Sequence, residues 1–173
     1  MFSSLPLRAR FVRNATDQVP AIRYFCSRVS MDRHRPRNRP SRPLVLVVDD
    51  HDDTRDLYVL SLGLFGFDAI EAADGQDACR QAWEFQPDIV VTDLTLRGRD
   101  GWQLIHDLQR DARTRDIPVV LVTGHAAPSL RERAEREGCA GFFVKPCLPD
   151  ELALELRHVL DSAIDHERVP ASH

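Results

Sequence analysis

The stretch Pro87-Asp88-Ile89-Val90-Val91-Thr92-Asp93, continuing through Leu94 to Gly101, decides the fold. Ile89, Val90 and Val91 form an unbroken β-branched run with a proline before it and glycines at 98 and 101 after it. Such a run predicts a strand buried on both faces, as in a parallel sheet. Its last residue is an acid. An apolar strand that ends in a carboxylate carries that group to the carboxyl rim of the sheet, where open α/β sheets bind their ligands.

Working outward, Leu44-Val45-Leu46-Val47-Val48 is a second wholly apolar run, ending in Asp49-Asp50. Asp52 or Asp53 can then cap a helix whose expected inner stripe is Leu57, Leu60, Ser61 and Leu64, at i, i+3, i+4 and i+7. Gly63 and Gly66 loosen and end it. Residues 67–72 predict a short strand, and Asp74-Gly75 turns into a helix with Ala78, Ala82 and Phe85 inside. The opening strand is expected over 88–92. Gly98 and Gly101 bracket a loop into a helix that carries Leu104, Ile105 and Leu108 inward. A fourth strand is expected over 117–122, closed by Thr123-Gly124, and a charged helix over 129–137 with Gly138 as its stop. A fifth strand over 141–144 ends at Lys145-Pro146. The last helix is expected over 149–166, with Leu152, Leu156, Val159, Leu160 and Ala163 on one face. Leu148 is a poor residue at its N-cap.

Five strand–helix units in strict alternation call for a five-stranded parallel sheet with helices on both faces and right-handed crossovers. The natural arrangement is the doubly wound, flavodoxin-like α/β fold with strand order 2-1-3-4-5. In that order the first and third strands are neighbours. Asp49, Asp50 and Asp93 therefore converge, with Thr123 and Lys145 on the same edge.

The 173 residues leave room for one well-buried domain plus an extension. No apolar run approaches the ~20 residues of a membrane span. The net charge of −4 hides a division. Residues 1–43 hold ten arginines and two acids, whereas 44–173 hold thirteen basic and twenty-five acidic residues. The folded part is thus acidic, which argues against direct nucleic-acid binding there. The whole chain has twenty-two arginines and one lysine.

Residues 1–43 have no glycine and five of the eleven prolines. The run from Arg33 to Pro43 cannot bury enough surface to offset its ordering entropy and is expected to be disordered. Arg8, Arg10, Arg13, Arg23 and Arg28 imitate a transit peptide; the plainer reading, favoured here, takes Met31 as the true start. The basic arm could still touch nucleic acid or anionic lipid through electrostatics alone. Cys26, Cys79, Cys139 and Cys147 form no C-x-x-C pair and read as small thiols in a reducing compartment. The boundaries expected are an extension over 1–43, the domain over 44–165 and a frayed tail over 166–173.

Three crowded carboxylates raise one another's pKa unless a cation intervenes. Mg²⁺ (or Mn²⁺) suits a shallow site of carboxylates, a carbonyl and water, with positions left for phosphate oxygens. Asp93 then becomes a nucleophile toward phosphorus, with an aspartyl phosphate as product. The Lys145 ammonium can pair with a phosphoryl oxygen as a point charge, and the Thr123 hydroxyl can donate to another. A lone Asp at a strand end is usually a cap, and a lone Lys before Pro means nothing. The weight lies in all five residues falling at carboxyl ends of strands.

Val47-Val48-Asp49-Asp50, Val91-Thr92-Asp93, Asp100-Gly101, Val122-Thr123-Gly124 and Val144-Lys145-Pro146 stand in a fixed order over residues 44–165. On this set the chain resembles the receiver domain of two-component response regulators. The resemblance implies that Asp93 is the phosphoacceptor. Asp50 and Asp93 would bind Mg²⁺ directly, Asp49 mostly through water, and the Thr95 carbonyl would complete the protein ligands. It implies a cis Lys145–Pro146 bond, and a switch in which Thr123 moves toward the phosphate while Phe142 turns inward. The face built from the fourth helix, fifth strand and fifth helix would change with it.

Implied partners are a sensor histidine kinase or histidine phosphotransfer protein and a downstream protein target, in a bacterial cytoplasm and away from membranes. Self-association through the same face is a further expectation. Little chain follows Ala163, so a stand-alone receiver without an output module is expected. Thr95 and His125 occupy the positions that tune dephosphorylation in this family.

Leu96 and Arg97 stand where the family usually has Met-Pro, and Cys147 where it prefers Phe, so packing under the last helix is expected to be looser. Phe142 lacks a tyrosine's hydroxyl. Arg97 and Arg99 are read as solvated loop cations, with a docking contact for an acidic partner as the sharper alternative. His51 and His125 could also join the acids in a transition-metal site. Two other functions compete: a phosphorylation-independent interaction module, and a phosphohydrolase. The second would want another acid two residues after the nucleophile, and Thr95 is there instead.

Overall fold

The computed structural model describes residues 42–167. Most of the expected disordered arm, and the last six residues of the expected tail, lie outside this range. At the start of the described range Arg42 donates to the Gly63 carbonyl, and the Pro43 carbonyl accepts from Asp68 N at 2.9 Å.

Five parallel strands, β1 (Leu44–Val48), β2 (Asp68–Ala72), β3 (Ile89–Thr92), β4 (Val119–Thr123) and β5 (Gly141–Val144), form one sheet in the order β2-β1-β3-β4-β5. The register pairs Val48 with Thr92 between β1 and β3, and Thr123 with Val144 between β4 and β5. The helices are α1 (Asp52–Leu64), α2 (Gly75–Phe85), α3 (Gly101–Arg110), α4 (Pro128–Arg136) and α5 (Pro149–Glu167). Strand alternation divides the core in two. Val45, Val47, Val91, Val120 and Val122 pack under α1 and α5 with Leu62, Leu152 and Leu156. Leu46, Val48, Val90 and Leu121 pack on the other face with Ala78, Leu104, Ile105, Leu108 and Ala134 from α2, α3 and α4. Each fully buried Leu or Val is worth roughly 1.5–3 kcal/mol. Among the described residues no helix is long and apolar enough to cross a membrane.

Three expectations need correction. The inner stripe of α1 is not Leu57, Leu60, Ser61 and Leu64 but Arg55, Tyr58, Val59 and Leu62. Leu57, Leu60 and Leu64 are 55%, 49% and 75% exposed. The cause is polar: Arg55 is drawn inward by the Asp49 carbonyl (2.8 Å) and by Glu71 on β2 (3.4 Å), and this sets the rotation of the helix. The N-cap is His51 rather than Asp52 or Asp53, which lie in the first turn, where their charge still suits the helix dipole. Finally, the loop after Asp93 is not wholly irregular. Thr95–Leu96 and Arg99–Asp100 form a short antiparallel ladder closed around Gly98, whose φ is +75°.

Candidate functional site

Each site residue sits where an apolar strand runs out. β1 releases Asp49 and Asp50, and β3 releases Asp93, whose N–H donates to the Val48 carbonyl at 2.9 Å and locks the two strand ends together. β5 ends at Lys145, whose N–H donates to the Thr123 carbonyl at the end of β4 at 2.8 Å. The Lys145–Pro146 bond is cis. The lysine side chain runs back across the sheet edge, and its Nζ donates to Asp49 Oδ2 at 2.6 Å and to Asp93 Oδ2 at 2.5 Å.

Asp49 and Asp93 are both buried. Burial alone would pull the Lys145 pKa down, but the bonds and charge from Asp49 and Asp93 outweigh it and hold the pKa above its ordinary value. The ammonium therefore keeps its proton throughout the neutral range. Asp93 Oδ1 accepts from Thr95 N at 2.9 Å, and Asp49 Oδ1 from His51 N at 2.9 Å.

The loop after Asp93 is held tightly. A Cβ at Gly101 would lie 2.6 Å from the Asp93 carbonyl oxygen and 2.8 Å from Leu94 Cα, so only glycine lets α3 start this close. Asp100 caps that helix, its Oδ1 accepting from Trp102 N at 3.2 Å. Thr92, inside the strand, spends its hydroxyl on the Asp93 carbonyl at 2.9 Å.

Asp50 differs from its neighbours. Its Oδ1 is buried and accepts no hydrogen bond, although His51 Nδ1 comes to 2.8 Å. Its Oδ2 is 3.5 Å from Arg97 Nε, on an arginine side chain that is 77% exposed. Two neighbouring carboxylates at the sheet rim are a donor set that fits a small hard cation. One ligand atom each from Asp49, Asp50 and His51 lie within 4.8 Å of one another.

The sequence-derived set is thus partly brought together. Asp49 and Asp93 each accept from Lys145, and Thr95 is tied to Asp93 through its N–H. Thr123 is fully buried at its strand end, and its Oγ1 accepts from His125 N at 3.3 Å. The His125 side chain is exposed and is not in the acid cluster. Phe142 is half-buried against the core on the α2–α4 face, with the Arg131 guanidinium 5.1 Å from its ring centroid. Cys147 is buried, and burial pushes its thiol pKa up. Cys79 and Cys139 are half-buried.

Sequence reasoning passed over Arg55, which holds the Asp49 carbonyl. Its only signal was a basic residue among Asp52, Asp53 and Asp56, which is ordinary for an exposed helix start.

These geometries agree with comparisons to known proteins. The model of the response regulator receiver domain matches residues 45–157. The phosphate regulon transcriptional regulatory protein PhoB of Klebsiella pneumoniae is 36% identical over 116 residues, covering 67% of this chain and 51% of that protein. The chain spans about half the length of the curated relatives it matches. A solved sensor protein from Polaromonas sp. JS666 superposes with a TM-score of 0.66 at 30% identity, covering 70% of this chain and 98% of that one. The signal receiver domain of a Luxo repressor protein from Vibrio parahaemolyticus has a TM-score of 0.68 at 23% identity, covering 76% and 99%, a likeness of fold. The chain belongs to the receiver-domain family of response regulators. This is a family of signalling phosphoacceptor domains, and the acidic pocket of Asp49, Asp50 and Asp93 beside Lys145 is of its type.

Proposed function

We propose that Asp93 accepts a phosphoryl group from a phosphohistidine on a sensor kinase or phosphotransfer protein. The observation that carries this reading is the Lys145 ammonium spanning Asp49 and Asp93 at 2.6 and 2.5 Å on the carboxyl edge of the sheet. An Asp93 oxygen attacks phosphorus as the bond to the nitrogen of a phosphohistidine ring protonated on its other nitrogen breaks, leaving an aspartyl phosphate and a neutral imidazole on the donor. When bound, Mg²⁺ held by Asp49, Asp50, Asp93 and the Thr95 carbonyl supplies charge neutralisation to the transferring phosphoryl oxygens. Lys145 exchanges its Asp93 contact for a phosphoryl oxygen while keeping Asp49, and Thr123 donates its hydroxyl to another.

The movement of Thr123 makes room for Phe142 to turn inward, and the α4–β5–α5 face then binds a protein target or a second copy of the chain. All four residues of β5 are half-buried, which suits an edge that can be rearranged. The relatives named as transcriptional regulators suggest a role in gene control, carried by partners rather than by this acidic domain touching DNA.

Incubation with Mg²⁺ and a small acyl phosphate, read by intact mass, tests the reading. One phosphoryl group per chain is expected, and none on Asp93→Asn. No adduct on the native chain would leave a phosphorylation-independent interaction module, and sustained phosphate release without an adduct would point to a hydrolase. His125→Ala is expected to change the lifetime of the adduct without changing its stoichiometry; an unaltered decay rate would remove His125 from that role.

A further inference from the structure

We propose that Arg97 recruits the phosphoryl group: its guanidinium, held beside Asp50 in the resting chain, passes to an oxygen of the incoming phosphoryl group. The inference rests on the reading of Asp93 as phosphoacceptor, and adds to it a cation that the Met-Pro pair usual in this loop cannot supply. Arg97 Nε lies 3.5 Å from Asp50 Oδ2, and the arginine side chain is exposed while that of Asp50 is largely buried.

The backbone decides where this arginine stands. Thr95 N is tied to Asp93 Oδ1 at 2.9 Å, and Thr95–Leu96 then pairs with Arg99–Asp100 in the short ladder. Gly98, at a φ of +75°, lets the chain turn back directly after Arg97. Leu94 and Leu96 are buried, and Gly101 N donates to the Leu94 carbonyl at 2.8 Å, so both ends of the hairpin are fastened to the core. Arg97 is thus carried at the tip of a hairpin rooted at Asp93.

The charges at the rim leave this cation a task. The Lys145 ammonium is already divided between Asp49 and Asp93. A phosphoryl group in transfer spreads its negative charge over three oxygens, of which Lys145 and Thr123 each take one in the proposed reaction. Asp50 also faces His51 Nδ1 at 2.8 Å, so it does not depend on Arg97 for a partner. A pair with one side chain this exposed is worth little, and Arg97 leaves it at small cost. A guanidinium–phosphate pair is charge-assisted and can be bidentate, so the exchange runs toward the phosphoryl group. The same positive charge repels a metal ion approaching Asp50. Removing it therefore has two effects of opposite sign.

Arg97→Gln in the full chain, phosphorylated by acetyl phosphate with Mg²⁺ and read by intact mass, tests the proposal, with Mg²⁺ affinity titrated separately without donor. In this reaction the Asp93 oxygen bonds to phosphorus as the bond from phosphorus to the acyl oxygen breaks, and acetate leaves with the electron pair. At Mg²⁺ saturating for each protein, the second-order rate should fall at least about threefold in Arg97→Gln and recover in large part in Arg97→Lys. The rate of Arg97→Gln should also depend less on ionic strength than that of the native chain. Mg²⁺ should bind Arg97→Gln about two- to fivefold more tightly. A folding defect would weaken both readouts, so opposite signs belong to the charge. Arg97→Gln reacting at the native rate with the native salt dependence would overturn the role of Arg97 and leave Asp93 as phosphoacceptor. A slower Arg97→Gln that also binds Mg²⁺ more weakly would overturn it too. No adduct on the native chain would overturn the phosphoacceptor reading and this inference with it.

Discussion

Helices α1 and α3 both start at the site, one from the Asp49–Asp50 corner and the other from the Asp93 loop, yet they meet the sheet by different rules. In α3 the apolar residues Trp102, Leu104, Ile105 and Leu108 are the buried ones, and apolar periodicity alone predicts the rotation. In α1 three leucines face outward while Arg55 goes in. The guanidinium of Arg55 donates to the Asp49 carbonyl and pairs with Asp52 at 2.8 Å and Glu71 at 3.4 Å. A helix that anchors a polar site can be turned by one satisfied buried charge against the pull of several leucines. The phase of α1 is a property of the pocket rather than of its own hydrophobicity.

Truncation of core leucines gives the sharpest contrast. Leu62→Ala in α1 and Leu108→Ala in α3 are each expected to cost about 2–5 kcal/mol in urea unfolding. Leu60→Ala and Leu64→Ala, on the outer face of α1, should stay within about 0.5 kcal/mol. Equal losses on both faces of α1 would break the comparison. Arg55→Met comes next. It leaves the Asp49 carbonyl and Glu71 without their donor and should cost about 1–3 kcal/mol. Because Asp49 is then held less firmly, phosphorylation of Asp93 by an acyl phosphate should slow as well. If Arg55→Met slowed nothing and cost nothing, α1 would owe its rotation to packing after all.

A smaller effect depends on pH and belongs to α3. His106 on this helix meets Glu137, just beyond α4, at 2.7 Å, and the Arg133 guanidinium lies 3.6 Å from the same side chain. The bond from His106 holds the Glu137 carboxyl below the 4.5 of an ordinary glutamate. A carboxyl lowered by folding adds stability that is complete above its unfolded value and is lost as pH falls through its folded one. Glu137→Gln should therefore lower Tm near neutrality, and the gap from the native chain should close in acid. Asp111, after α3, is held down to about 2 by the Arg113 side chain, so its own contribution should persist further into acid. Identical acid profiles for Glu137→Gln and the native chain would remove the link between α3 and α4.

Strands and site edge were legible because they rest on the same signal. Unbroken runs such as Leu44–Val48 and Ile89–Thr92 have no plausible place but a sheet interior, and the residue that ends each run must emerge at its rim. Asp49, Asp93 and Lys145 followed from that logic, and in the structure Lys145 bonds to both carboxylates. The rotation of α1 was not legible, since Leu57, Leu60 and Leu64 satisfy helical spacing as well as Tyr58, Val59 and Leu62 do. Only the position of Glu71 and the Asp49 carbonyl separates the two choices. The ladder of Thr95–Leu96 with Arg99–Asp100 was missed because two-residue strands leave no periodicity. His51 was weighed together with His125, since neither residue type nor spacing shows which loop histidine reaches Asp50.

Lys145 is also the one lysine of the 173 residues. Apart from the chain's α-amino group, every amine-directed reagent has a single address, and that address is the pocket. The side chain is only 21% exposed, and its ammonium is shared between two carboxylates. Acylation of this lysine should be sluggish in the resting protein and should change whenever the pocket's occupancy changes. A simple amine label, read by mass, thus becomes a reporter of the site's state without any engineered probe.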